Sequence, residues 1–212
     1  MEIKSFVFNP FYENTYVLWD ETREGIVIDP GCYEDYERKE LMDFIQKENL
    51  NIKAIVNTHC HIDHVLGNYY LKETLGCPLW IPQDEREIYH AVVAYAPQWG
   101  VHNYTEAEAD RLLTDTDKIE FGNTVLSTIY CPGHSPGHLV FNNESEKRAI
   151  GGDVLFRQSI GRTDLPGGNH DQLLENIKTR IYTLPEETEV FPGHGPSTTV
   201  GFEKKNNPFV QG

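Results

Sequence analysis

The chain has 212 residues, 39% of them hydrophobic and 11% aromatic, and carries a formal net charge of −15. This composition excludes a disordered chain and allows a sizeable core. The charge argues against nucleic acid as the main partner, because phosphate neutralisation needs a basic face, and no uninterrupted apolar run is long enough to span a membrane.

Residues 3–8, 14–20 and 25–31 (IKSFVF, NTYVLWD, GIVIDPG) are β-rich and separated by turn formers, which predicts a three-strand meander. Residues 34–49 carry Leu41, Phe44 and Ile45 among charges, the pattern of an amphipathic helix. A strand over 52–58 leads into a helix over 64–76 that ends at Gly76. Residues 78–82 predict a short strand, and 84–100 a helix as far as Pro97. A hairpin over 118–133 turns at Gly122-Asn123. Strands over 138–143 and 147–153 follow, then a long loop from Phe156 to His170, a helix over 171–184 and a last strand over 188–196. This order predicts one α/β domain over residues 1–212, a four-layer αββα sandwich of two mixed sheets with helices outside. The N-terminus, MEIKSFVFNP, lacks a basic segment followed by an apolar core, so a cytoplasmic location is expected.

Residues 58–64 read THCHIDH. Imidazole and carboxylate are costly to bury together unless something pairs them. In an extended run His59 and His61 point the same way, so two imidazoles meet one cation. Asp63 and His64 then start a helix and diverge toward a second cation. Further ligand-type residues stand at other strand ends: His134 in CPGHSPGH, Asp153 in AIGGD and His194 in FPGHG. Strand ends deliver side chains to one rim in α/β proteins. The predicted first ion takes His59, His61, His134 and Asp153; the second takes Asp63, His64, His194 and the same Asp153, whose two oxygens allow bridging. Two divalent ions are therefore expected, zinc first, with iron or manganese compatible with the same donors. Gly before His in both PGH motifs points to a backbone conformation that other residues resist.

The four cysteines, Cys32, Cys60, Cys77 and Cys131, form no C-x-x-C pair and are read as reduced thiols, Cys60 as a core-facing one. His90 and His102 match no motif. Tyr89, Tyr95 and Trp99 follow helical spacing and are read as packing residues. Lys204 and Lys205 are read as part of a solvated tail.

THCHIDH, CPGHSPGH, the Asp of GGD and PGHG together resemble the metallo-β-lactamase superfamily pattern. GRTDLPGGNHDQLLENI (161–177) and GFEKKNNPF (201–209) are similar to the short glyoxalase II-like hydrolases of that superfamily. The resemblance implies the αββα sandwich and a dinuclear site. It implies hydrolysis of a small-molecule thioester, such as an S-2-hydroxyacylglutathione, to a carboxylic acid and free thiol by a metal-bound hydroxide. Asp63 would also orient that hydroxide. Long relatives carry an added helical domain that grips glutathione, and this chain ends soon after its last ligand, so the substrate is less defined than the reaction.

Asp29, in VIDPG, matches the family's early aspartate; it either accepts a hydrogen bond from a ligand imidazole or caps a turn. His138 and His170 are read as residues that fix ligands or loops. Arg157 and Arg162 lie where an anionic substrate would need positive charge, and Arg162 could instead pair with Asp164. A monomer or small homo-oligomer is expected. The rival activity is that of an iron-dependent persulfide dioxygenase, whose loop GRTD (161–164) resembles. A phosphodiesterase or nuclease of the same fold is disfavoured by the charge.

Overall fold

Alternating apolar residues turn Phe6 and Phe8 of β1 (Glu2–Phe8) into the core and leave Val7 outside. In the computed structural model, which describes all 212 residues, the chain divides into two compact units. The first comprises Met1–Leu113 and Glu120–Thr124, the second Thr114–Ile119 and Val125–Gly212. No helix is long and apolar enough to cross a membrane.

In the first unit, β1 pairs antiparallel with β2 (Glu13–Trp19), and β2 with β3 (Glu24–Ile28). This is the meander read from the sequence. The amphipathic stretch becomes α1 (Asp35–Lys47), where Glu37 accepts the Glu34 N–H at 2.9 Å and satisfies an otherwise orphaned donor. Leu41 and Ile45 of α1 pack in a cluster with Val17, Val27 and Ile55. Burying each contributes roughly 1.5–3 kcal/mol. Strands β4 (Asn51–Val56), β5 (Leu79–Pro82) and β6 (Arg111–Leu113) then add in parallel, so the sheet runs β1 to β6 in chain order.

Two expectations change here. Strand β4 stops at Val56 rather than residue 58, because Asn57 and Thr58 turn their polar groups to His64 and Asp29. The helix predicted over 64–76 is two helices, α2 (Ile62–Val65) and α3 (Asn68–Leu75). They part at Gly67, whose N–H bonds the Pro30 carbonyl at 2.7 Å. A Cβ on Gly67 would stand 2.6 Å from Cys32 Sγ and 2.8 Å from Pro30 O. Gly76 ends α3 in the left-handed region, at φ 66°. Helix α4 (Arg86–Tyr95) passes into a 3-10 turn, Ala96–Trp99, that contains Pro97. On α4, Tyr89 is buried and its hydroxyl donates to Ala107 O at 2.9 Å, a packing role. Trp99 lies against the Phe11 ring, with centroids 5.8 Å apart.

The second sheet contains β7 (Lys118–Phe121), β8 (Thr124–Tyr130), β9 (Leu139–Asn143) and β10 (Arg148–Gly152), the two strand pairs read from the sequence. The span from Phe156 to His170 is not all loop, because Leu155–Phe156 (β11) and Ser159–Ile160 (β12) form a small hairpin. Helix α5 (His170–Asn176), capped by Asn169, runs on as a π-helical turn, Ile177–Ile181. Strand β13 (Glu189–Pro192) lies parallel to β10, and β14 (Thr198–Thr199) closes the order β14-β13-β10-β9-β8-β7. The tail read as solvated is instead a helix, α6 (Val200–Asn206), with Val200 and Glu203 buried. Its signal in the sequence is faint because the Lys204-Lys205 pair stands beside only two buried side-chain anchors, one of them charged.

Two glycines test this account by different routes. Gly67→Ala forces an overlap in the core and is expected to cost about 1–3 kcal/mol. Gly76→Ala meets nothing within 4 Å and carries only the left-handed backbone cost of roughly 1–2 kcal/mol. Urea unfolding at unchanged m-value measures both. A Gly67→Ala protein as stable as the parent would contradict the packing at Pro30 and Cys32.

Candidate metal centre

In the first unit the ligand-type residues stand where β4 gives way to α2. His59 and His64 are fully buried and His61 nearly so. The His59 and His61 rings lie 4.8 Å apart between centroids, and those of His59 and His64 lie 4.1 Å apart. Burying three imidazoles side by side is tolerable only if their polar atoms are engaged.

Asp29 supplies much of that engagement. Its carboxylate accepts the Thr58 N–H and the Thr58 hydroxyl, each at 2.6 Å, and lies 3.2 Å from His64 Nδ1. The Thr58 hydroxyl gives its proton to Asp29, so it accepts from His59 Nδ1, 3.0 Å away. Both rings thus carry the proton on Nδ1, which leaves the lone pair on Nε2, the atom that could ligate a cation. Asp29, His59 and His64 also offer ligand-type atoms within 4.8 Å of one another. The Asp29 oxygens are already engaged by Thr58 and by His64 Nδ1. Of the two sequence readings of Asp29, the geometry is that of an acceptor for an imidazole.

Residues the sequence did not single out hold the backbone of this segment. Asn57 Nδ2 donates to His64 O at 2.8 Å, and Asn9 Nδ2 donates to Asp63 O and Gly31 O, both at 3.0 Å. Glu85, fully buried, accepts the Cys60 N–H at 2.9 Å. The Cys60 side chain is in the core, and burial pushes its thiol well up. Glu13 is fully buried beside this network, and burial pushes its carboxyl well above the usual range, with His64 pulling the other way. Thr58 was visible inside the motif. Asn9, Glu13 and Glu85 come from other elements and carry no local signal.

In the second unit, Gly133 adopts φ 134° and brings its Cα against α5, where a Cβ would stand 2.5 Å from Leu173. The next residue, His134, donates from Nδ1 to the Arg162 carbonyl at 2.8 Å. Asp153 follows β10, and its N–H donates to His138 Nε2 at 3.0 Å. The Asp153 Oδ2 atom lies 3.5 Å from His134 Nε2 and 3.6 Å from His194 Nε2. In the second PGH the left-handed residue is Gly195 at φ 71°, after the histidine, whereas Gly193 before it is ordinary. His170 is exposed in the first turn of α5.

The two arginines are engaged within their own unit. Arg162 makes two 2.7 Å bonds to Asp164, and the Arg157 guanidinium lies 5.3 Å from the Phe202 ring centre.

The donor set fits a metal. Two ligands about 2.0–2.1 Å from a tetrahedral cation lie roughly 3.3–3.5 Å apart. His134 and His194 stand at about that separation from Asp153 Oδ2, and so does His64 Nε2 from Asp63 Oδ2, at 3.6 Å. These spacings are long for hydrogen bonds. His64 and His134 thus present Nε2 to an aspartate oxygen, while Nδ1 faces an acceptor behind the ring.

The exposed Arg162–Asp164 pair makes a pH prediction. The Arg162 hydrogen bonds hold the Asp164 carboxyl down to about 2. Its contribution to stability is present above the ordinary carboxylate range and lost as pH falls through about 2. Carboxyl NMR should find that midpoint, and Arg162→Ala should return it toward about 3.9. An ordinary midpoint in the parent protein would show that the pair does not persist in solution.

Comparison with known proteins agrees with this donor chemistry. The model of the metallo-beta-lactamase superfamily matches residues 8–194. The hydroxyacylglutathione hydrolase GloC of Haemophilus influenzae is 32% identical, over 99% of this chain and 98% of that protein. Among solved structures, BLEG-1 B3 metallo-beta-lactamase is 36% identical with a TM-score of 0.88, covering 100% of both chains. TTHA1623 in a di-iron-bound form is 34% identical with a TM-score of 0.87, covering 98% of this chain and 100% of that one. The α/β fold with two sheets and helices is therefore the metallo-β-lactamase fold. Carrying a metal-binding cluster of histidines and aspartates on that fold, the chain belongs to the metallo-beta-lactamase superfamily.

Proposed function

We propose that this chain is a metal-dependent thioesterase. It hydrolyses an S-acyl thiol of the S-2-hydroxyacylglutathione class to a carboxylic acid and a free thiol. In this reading His59, His61, Asp63 and His64 of the first unit, and His134, Asp153 and His194 of the second, would hold divalent ions. The observation that carries it is the recurring spacing of imidazole Nε2 to aspartate Oδ2, which suits shared coordination better than hydrogen bonding. Zinc suits so imidazole-rich a set, and the similar chain TTHA1623 has been seen with iron. The full-length similarity to GloC, named a hydroxyacylglutathione hydrolase, supports the thioester.

When bound, divalent ions supply Lewis acidity and make water a nucleophile near neutral pH. The chain's own residues do the rest. Asp63, beside His64 Nε2, orients the attacking water and accepts its proton. Asp29, directly and through Thr58, keeps His64 and His59 in the Nδ1–H tautomer, so neither ring reorients during turnover. The Arg162 carbonyl does the same for His134. Collapse of the tetrahedral adduct expels a thiolate, a leaving group whose conjugate acid has a pKa of about 8.5 and so needs little protonation. Water adds across the C–S bond: hydroxyl to the acyl carbon, proton to the sulfur.

Release of free thiol from S-D-lactoylglutathione, on protein of measured metal content, tests the reading. Chelation should abolish the activity and zinc restore it. Asp63→Ala should lower kcat/KM about 100-fold or more. Full activity in both Asp63→Ala and His61→Ala would sink the mechanism. Oxygen uptake with glutathione persulfide, without thiol release from any thioester, would favour the dioxygenase instead, and turnover confined to a β-lactam would favour the activity named for BLEG-1. Thr58→Val removes the hydroxyl that joins Asp29 to His59 and should weaken metal affinity about 10- to 100-fold. Unchanged zinc affinity in that variant would show that the hydroxyl does not orient the ring.

A further inference from the structure

The tail of the chain, GFEKKNNPF, has no part in the mechanism above, yet two of its polar side chains are buried. Glu203 and Asn207 are at most 1% exposed. Glu203 accepts the Thr198 hydroxyl on Oε1; on Oε2 it accepts the Gln158 N–H and Asn207 Nδ2, each at 2.9 Å. Asn207 Nδ2 donates also to Ser159 O at 3.0 Å. The Phe202 ring faces the Arg157 guanidinium at 5.3 Å. Residues of α6 and its C-terminal cap thus contact three successive residues of the β11–β12 hairpin: Arg157, Gln158 and Ser159.

That hairpin is poised to need holding. Gln158 sits at φ 57°, a conformation that non-glycine residues resist, and a two-residue strand pair is marginal by itself. Both ends of the hairpin run into the donor set. Asp153 lies two residues before β11. At the other end Gly161 donates to Val154 O at 3.3 Å, and a Cβ there would stand 1.9 Å from Asp153 O and 3.1 Å from His134 Nδ1. Arg162, next in the chain, offers the carbonyl that fixes His134.

We infer that Glu203 is a positioning residue for the metal site: α6 is a latch that holds the β11–β12 hairpin, and through it the Asp153 carboxylate and the Arg162 carbonyl behind His134. The inference rests on the proposed ligand roles of Asp153 and His134. Any movement of the hairpin shifts both ends together. Because coupling of this kind is reciprocal, metal at the site must also tighten the latch.

The test reads metal binding by the full-length chain, not turnover. Glu203→Gln keeps the size of the side chain but loses at least one of three accepted hydrogen bonds. It is expected to bind zinc about tenfold more weakly and to shift the d–d absorption of the cobalt-loaded protein. Adding Gln158→Gly, which removes the need to hold a strained turn residue, should restore part of that affinity. A merely structural role for Glu203 would not produce this rescue. In the parent protein, removing metal with a chelator should speed amide exchange about tenfold at residues 155–160 and 200–207. If Glu203→Gln does not fold, this exchange experiment decides alone. A folded Glu203→Gln protein with parental zinc affinity and cobalt spectrum, or exchange at the latch indifferent to metal, overturns the inference. A parent protein that binds no zinc or cobalt overturns the ligand assignment beneath it, which is a separate result.

Discussion

A neutral imidazole has one nitrogen that donates and one that accepts, and a protein that buries it must decide which is which. In this chain the decision is made from behind the rings. Asp29 receives His64 Nδ1, the Thr58 hydroxyl receives His59 Nδ1 and passes its own proton to Asp29, and the Arg162 carbonyl receives His134 Nδ1. With Nδ1 protonated, Nε2 is left as the atom with the lone pair, and the Nε2 atoms of His64 and His134 stand 3.5–3.6 Å from aspartate oxygens, the separation two ligands of one cation would show. If the acceptors moved, the rings could flip tautomer and the donor set would lose its aim.

That constraint explains why so much ordinary structure converges on the loops. Asn57, Asn9 and Glu85 spend their hydrogen bonds on the backbone of residues 60–64, so the segment cannot relax around its histidines. Gly67 lets α2 stop short and the chain fold back on Pro30. In the second unit Gly133 lacks a Cβ that would collide with Leu173, so the backbone just before His134 passes close against α5. Function here lives in loop residues whose freedom is withdrawn by partners on regular elements.

Much of this was legible in the sequence. The strand and helix order followed from periodicity, and THCHIDH and the other His and Asp positions at strand ends were readable because ligand chemistry restricts residue type as well as spacing. The places where the reading slipped share a cause. Gly67 splits a helix whose apolar pattern is continuous, and the left-handed glycine of the second PGH is Gly195 rather than Gly193. The first depends on a backbone group that another segment offers, the Pro30 carbonyl. The helix α6 was hidden because its anchors, Val200 and Glu203, are few and one of them is charged.

The sequence by itself determined the chemical class of the donors, the order of the elements that carry them and membership of a superfamily, since these depend on residue identity and local spacing. Only the tertiary structure decided which nitrogen of His59, His64 and His134 is held back, that Asp29 meets both Thr58 and His64, and that Glu203 reaches Gln158 forty-five positions away. Hydrogen bonds between distant segments leave no periodic trace in the chain, because each partner is chosen by geometry that exists only after the elements have packed.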